Sequence, residues 1–134
     1  MINGHNGHMS KISTSLYTLL GEHLQKEMGQ AYFAIGTDAK LTTFNSQDNN
    51  GEFSVRKVEN TNAVIDALGQ MDHKGYYMDL AELAKDPKWD QLVSEKVRVT
   101  SINVGLSDWQ TGMKSAYSIQ IVLPRAYDGW IVFN

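Results

Sequence analysis

The chain has 134 residues, a size that suits one domain with its own core. A hydrophobic share of 42% and a charged share of 20% exclude an intrinsically disordered chain. The formal charge of −3 offers nucleic acid and anionic membranes no global attraction, and the absence of cysteine removes disulfides, thiolate metal sites and a cysteine nucleophile.

The first element is Gly4-His5-Asn6-Gly7-His8, which sets two histidines three residues apart in a Gly-rich turn leading towards a helix. From Ser13 to Met28 the residues Leu16, Leu20, Leu24 and Met28 recur every four positions, which predicts a helix. Ser13, Thr14 or Ser15 would cap it and Gly29 would stop it. Ala31–Gly36 reads as a buried strand of the kind found in parallel sheets, with Asp38 just after it. Leu41–Phe44 is β-prone, and the Asn/Asp run from Ser46 to Gly51 is a turn. In Glu52–Val58, Phe53, Val55 and Val58 suggest a strand with one solvated face.

Asn60-Thr61-Asn62 can cap a helix through Ala63–Leu68 that Gly69 stops. Gly75–Leu80 is strand-like. Asp86-Pro87 opens a helix carrying Trp89, Leu92 and Val93. Val97–Ile102 reads as a strand, Leu106–Lys114 as a loop, and Ser118–Val122 and Trp130–Phe133 as two closing strands. Between these last two lies a turn built on Pro124 and Asp128-Gly129. This order predicts an α/β layered domain over residues 1–134, with a mixed, partly parallel sheet flanked by helices. No apolar run approaches the roughly 18 residues that span a bilayer. No signal peptide is visible, so the expected setting is the cytoplasm.

Several of these segments together resemble a known family. His5-Asn6-Gly7-His8, Leu20-Gly21-Glu22-His23-Leu24, Gly29–Asp38, Met78-Asp79-Leu80 and Tyr127–Phe133 look, in order, like the C-terminal half of erythromycin esterase-like proteins. The resemblance implies hydrolysis of an ester or macrolactone by water that histidine and glutamate side chains activate. His5 and His8 match the family's HNxH histidines. The family's earlier Glu/His segment has no equivalent in this sequence, which implies an incomplete enzyme whose missing groups come from another chain or are absent altogether. The alternative is a non-catalytic binding or structural module built on the same fold.

The residues support this chemistry independently. A neutral imidazole can take a proton from attacking water or donate to a developing oxyanion, so His5 and His8 are the catalytic candidates. Asn6 would bind substrate, fix a histidine tautomer or orient the turn. Asp38, at a strand end, would line a ligand crevice, though a turn-forming or helix-capping role suits both it and Asp79. His23 reads as a boundary-layer residue, His73 as a solvent-exposed one and Lys11 as a surface lysine. Tyr76, Tyr77, Trp89, Trp109 and Trp130 read as core, with an alternative role against a macrocycle. No metal or cofactor is expected. His-x-x-His can place two metal ligands together, but no third is evident. No Gly-x-Ser-x-Gly elbow is present, which disfavours a serine hydrolase. The expected partner is a small-molecule ester, with a complementing chain or a second copy beside it.

Overall fold

The computed structural model of the protein describes residues 1–13, 18–102 and 105–133. The histidine segment closes one helical turn, α1 (Asn6–Met9), in which the His8 and Met9 N–H groups donate to the His5 carbonyl at 2.9 and 3.1 Å. Helix α2 (Leu20–Met28) ends where expected, at Gly29, whose φ of 54° belongs to the left-handed region that favours glycine. Its start differs from the expected one. Leu19 is extended and caps the helix, and its N–H donates to Ser13 Oγ at 2.8 Å. Thr14, Ser15 and Leu16, which that expectation also used, lie outside the described residues.

A 3-10 turn over Gly29–Ala31 follows, and strand β1 is Ile35–Ala39 rather than Ala31–Gly36. The residues before Ile35 have other partners: Tyr32 Oη donates to the Met9 carbonyl at 2.6 Å, and the Ala34 N–H donates to Asp128 at 2.7 Å. Asp38 therefore lies inside the strand. Strands β2 (Leu41–Gln47) and β3 (Phe53–Glu59) form an antiparallel hairpin. Its turn is held by Asp48 Oδ1, which accepts from the Asn50 and Glu52 N–H groups.

The solvated face of β3 is the reverse of the one the sequence suggests. Phe53 and Val55 point to solvent, whereas Arg56 and Val58 are buried. Side chains alternate with a period of two, so these two pairs cannot share a face. Arg56 settles the choice: its Nε donates to the Leu106 carbonyl at 2.9 Å and its guanidinium pairs with Asp108 at 2.7 Å.

Helix α3 (Ala63–Leu68) is capped by Asn62, whose Oδ1 accepts from the Val64 and Ile65 N–H groups. Strand β4 (Gly75–Asp79) runs into α4 (Leu80–Leu83), then α5 (Pro87–Ser94) follows with Asp86 as its cap. Strand β5 (Val97–Thr100) comes next. The stretch read as a loop holds α6 (Asp108–Thr111) and the start of α7 (Lys114–Tyr117). Strand β6 (Ser118–Ile121), helix α8 (Leu123–Ala126) and strand β7 (Gly129–Phe133) close the chain. The expected Pro124 turn is thus a short helix with proline in its first turn, where no N–H is needed.

The main sheet is ordered β1-β7-β4, with β1 and β7 parallel and β4 antiparallel to β7; β5 and β6 form a separate antiparallel pair. The result is an α/β fold with a mixed sheet. Met78, Trp130 and Val132 turn one face of the main sheet into a core shared with Val64, Ile65 and Leu123. The opposite face is bare: Ile35 is 46% exposed, Tyr77 56% and Phe133 53%. Among the described residues, no helix is long and apolar enough to cross a membrane.

Gly36 fixes how closely β1 approaches its neighbour, because a Cβ there would lie 2.0 Å from the Trp130 ring. Gly36→Ala should lower unfolding free energy by about 1–3 kcal/mol in urea titration and shift Trp130 emission. Gly129→Ala meets Tyr77, a half-exposed ring that can move away, and should cost less.

Candidate active site

Helix α1 lacks the length to hold itself in place, and Asn6 anchors it. Asn6 Nδ2 donates to the Thr37 carbonyl of β1 at 2.5 Å and to the Thr100 carbonyl of β5 at 2.8 Å. Asn6 Oδ1 accepts from the Thr37 N–H at 3.1 Å. The side-chain amide thus pairs with both backbone groups of one strand residue, as a neighbouring strand would. Tyr127 Oη also donates to the Asn6 carbonyl at 2.7 Å. Of the roles read from the sequence, orienting the turn is the one these bonds perform. Two glycines permit the packing: a Cβ on Gly7 would approach Ser101 Oγ to 3.3 Å, and one on Gly21 would lie 2.4 Å from the Met9 backbone.

This anchoring presents both histidines to solvent, with their rings edge to face at 5.6 Å between centroids. His5 lines an open cleft of about 290 Å³ together with Asn6, Asp38, Thr42, Thr100 and Phe133. His8 does not line it. Among the described residues, no third His, Asp or Glu joins the pair in a group that could hold a metal ion.

Asp38 is the buried acid of the cleft, 4% exposed. Its Oδ1 accepts from the Ala39 N–H at 2.9 Å, and its Oδ2 accepts from Asn60 Nδ2 at 2.8 Å and the Thr100 N–H at 3.4 Å. Burial raises its pKa to about 6, and the hydrogen bonds from Thr100, Ala39 and Asn60 oppose that rise without cancelling it. The sequence signalled neither Thr100 nor Asn60 as a site residue. Asn60 looked like part of a helix cap, but the cap is Asn62, and Asn60 spans Asp38 and the Arg98 carbonyl.

The remaining candidates disperse. Asp79 caps α4 through Oδ1, as the plainer reading holds. His23 is exposed on α2, and His73 lies edge-on to Tyr76 at 5.9 Å. Lys11 is not a surface lysine: it is 16% exposed and pairs with Asp128 at 2.5 Å. Trp130 is core, whereas Tyr77 and Trp109 are exposed.

A family model described as erythromycin esterase matches residues 1–134. No curated protein sequence matches the chain significantly. A protein from Bacillus cereus of known structure aligns with a TM-score of 0.75 at 23% identity, over 97% of this chain and 32% of its own. A succinoglycan biosynthesis protein aligns with a TM-score of 0.77 at 18% identity, over 97% of this chain and 31% of its own. A mutant of the erythromycin esterase EreC in its open conformation aligns at 0.56 and 13% identity, over 96% of this chain and 30% of its own. At such identities the likeness is one of fold. The chain spans about a third of the length of the solved structures it matches.

The Asp38 carboxyl holds its proton more tightly in the folded chain than in the unfolded one. Its contribution is therefore full below the unfolded value of 3.8 and is lost as pH rises through about 6. Between pH 4 and 7 the wild type should lose about 2–3 kcal/mol of urea-unfolding free energy relative to Asp38→Asn, measured at each pH.

Proposed function

The chain belongs to the erythromycin esterase family, and from that premise we propose that it carries part of a hydrolase site that cleaves a carboxylic ester or macrolactone with water. The observation that supports this most is the placement of His5. Asn6 anchors its turn across two strands, and its ring stands on the rim of a cleft that also holds a buried carboxyl. In the proposed reaction, His5 takes a proton from water as the oxygen attacks the ester carbonyl. The tetrahedral intermediate collapses with loss of the alkoxide, which takes the proton back from the imidazolium. The products are a carboxylic acid and an alcohol. His8, edge-on to His5, supports the imidazolium or contacts the oxyanion. Asn6 acts as a positioning residue, and Asp38 contacts substrate from the cleft. The cytoplasm, suggested by the cysteine-free composition, is the proposed location.

We also propose that a further polypeptide completes the site. Sheets with parallel strands are ordinarily covered on both faces, yet Ile35, Tyr77 and Phe133 leave one face of β1-β7-β4 bare. Phe133 and Thr37 belong to both that face and the cleft, so a covering layer would roof the histidines. The matched structures contain about twice as much chain again beyond the aligned part. A second reading, a non-catalytic binding module, draws on the same bare face and on the solvent exposure of both imidazoles.

Mass spectrometry of erythromycin incubated with the purified chain tests the proposal. The expected result is a water-addition product whose kcat/KM falls about 10²–10⁴-fold in His5→Ala. His8→Ala should fall less, and Asn6→Ala should lower kcat while leaving a folded chain. A folded wild type that gives no product, alone and within a longer polypeptide of the family, would sink the hydrolase reading in favour of the binding module.

A further inference from the structure

We propose that the floor of the cleft is a subsite for a protonated amine, with Asp38 as its counter-ion. This deepens the reading of the cleft as a substrate site and rests on it. Asp38 is among the most buried charged residues described, and it lines the cleft. Its hydrogen-bond partners, the Ala39 and Thr100 N–H groups, Asn60 Nδ2 and the Thr100 side chain, are all neutral. A buried carboxylate without a cation is costly, and it finds relief in a bound proton or an incoming positive charge.

Three of the chain's cations are committed elsewhere, and Lys40, two residues from Asp38, is exposed. Lys11 pairs with Asp128, Arg56 pairs with Asp108, and Arg98 donates to Ser118 Oγ at 3.1 Å. The titratable groups that face Asp38 are His5, across the cleft, and Tyr127, whose proton affinity is raised mainly by burial and further by Tyr32 and the Asp38 charge. Neither supplies a fixed cation.

Hydrogen-bond accounting gives the same answer. Asn60 Oδ1 is buried without a partner, and it belongs to a residue that already bonds Asp38. Asn60 is 2% exposed and its amide nitrogen is fully used, on Asp38 and on the Arg98 carbonyl. Beside Asp38, behind the cleft, one buried acceptor therefore lacks a donor. An ammonium supplies both missing quantities, a positive charge and several N–H donors. An alcohol supplies a donor without the charge, and a carboxylate would be repelled.

Proton and ligand then compete for one site. An ammonium that binds must displace the Asp38 proton, so affinity should rise with pH as the carboxyl ionises near 6.

The test uses the full chain and three small probes of equal length: n-propylammonium, n-propanol and propionate. Amide chemical shifts at pH 7.5 should show propylammonium perturbing Asp38, Thr100 and Ala39 with an affinity at least about tenfold above that of propanol. The affinity should fall about fivefold or more at pH 5, where Asp38 is largely protonated. Asp38→Asn should lose about tenfold in affinity, and Thr100→Val, which keeps the charge, should lose only a few-fold. Equal binding of propanol, no cleft perturbation at about 50 mM probe, or undiminished binding in a folded Asp38→Asn would each overturn the proposal. None of the probes is an ester, so this result stands apart from the hydrolysis assay. Amine binding without turnover would leave the subsite intact, and turnover without amine binding would remove the subsite alone.

Discussion

One carboxylate, Asp128, fixes where the main sheet begins. Its side chain accepts from Lys11 Nζ at 2.5 Å and from the Ala34 N–H at 2.7 Å. Its backbone N–H donates to the Ala34 carbonyl at 2.8 Å, and its carbonyl accepts from the Leu80 N–H at 2.9 Å. The parallel pairing of β1 and β7 starts at the next residue of each strand, Ile35 opposite Gly129, and β4 ends opposite the same glycine. Parallel strands have no hairpin to set their register, since their connection is long. Here a charge-assisted bond at the strand start does so, and the desolvated ammonium of Lys11 makes it stronger than a surface pair.

The same bond reaches the histidines. The Lys11 N–H donates to the Ala126 carbonyl at 2.9 Å, so the segment after α1 is tied to the loop that launches β7. Asn6 ties the other end of the turn to β1 and β5. A four-residue helix has no stability of its own, because nucleating one turn fixes several dihedrals for one bond. The position of His5 therefore derives from side chains on either side of it. In that sense the catalytic candidates are cargo on a turn that Asn6 and Lys11 place.

Much of this was legible from residue types. The Gly29 stop, the Asn62 and Asp86 caps and the hairpin turn at Asp48 were read correctly because each depends on a local rule of backbone conformation or capping. The strands of the second half were readable because their apolar residues are bounded by turn formers. What failed depends on contacts distant in sequence. The β1 boundary follows from Asp128, ninety-odd positions away. The face of β3 follows from Arg56 meeting Leu106 and Asp108, which outweighs the exposure of Phe53 and Val55. In the candidate site, His5, Asn6 and Asp38 do converge on one cleft, but Asn60 and Thr100 carry no local signal. Nothing in an Asn-Thr-Asn cap or an alternating strand announces which polar atom will face a carboxylate from another element.

The alternation of β1 explains why an acid is buried at this place. Ile35 and Thr37 point to the bare face, so Gly36 and Asp38 must point to the covered one. Gly36 leaves room for the Trp130 ring, which brings β1 and β7 close. Two residues on, Asp38 faces the same way opposite Val132, one residue before the parallel pairing ends at Ala39 and Phe133. The Asp38 side chain there is shielded from bulk water yet borders the cleft. An apolar residue there would fill the gap and stabilise the fold. An aspartate keeps the gap polar, at a desolvation cost that Asn60, Ala39 and Thr100 only partly offset. The strand geometry dictates that the inward side chain at this position opens on the ends of parallel strands, where α/β folds admit ligands. The choice of an acid for it weakens the fold at neutral pH and places an unmatched charge in the cleft that His5 borders.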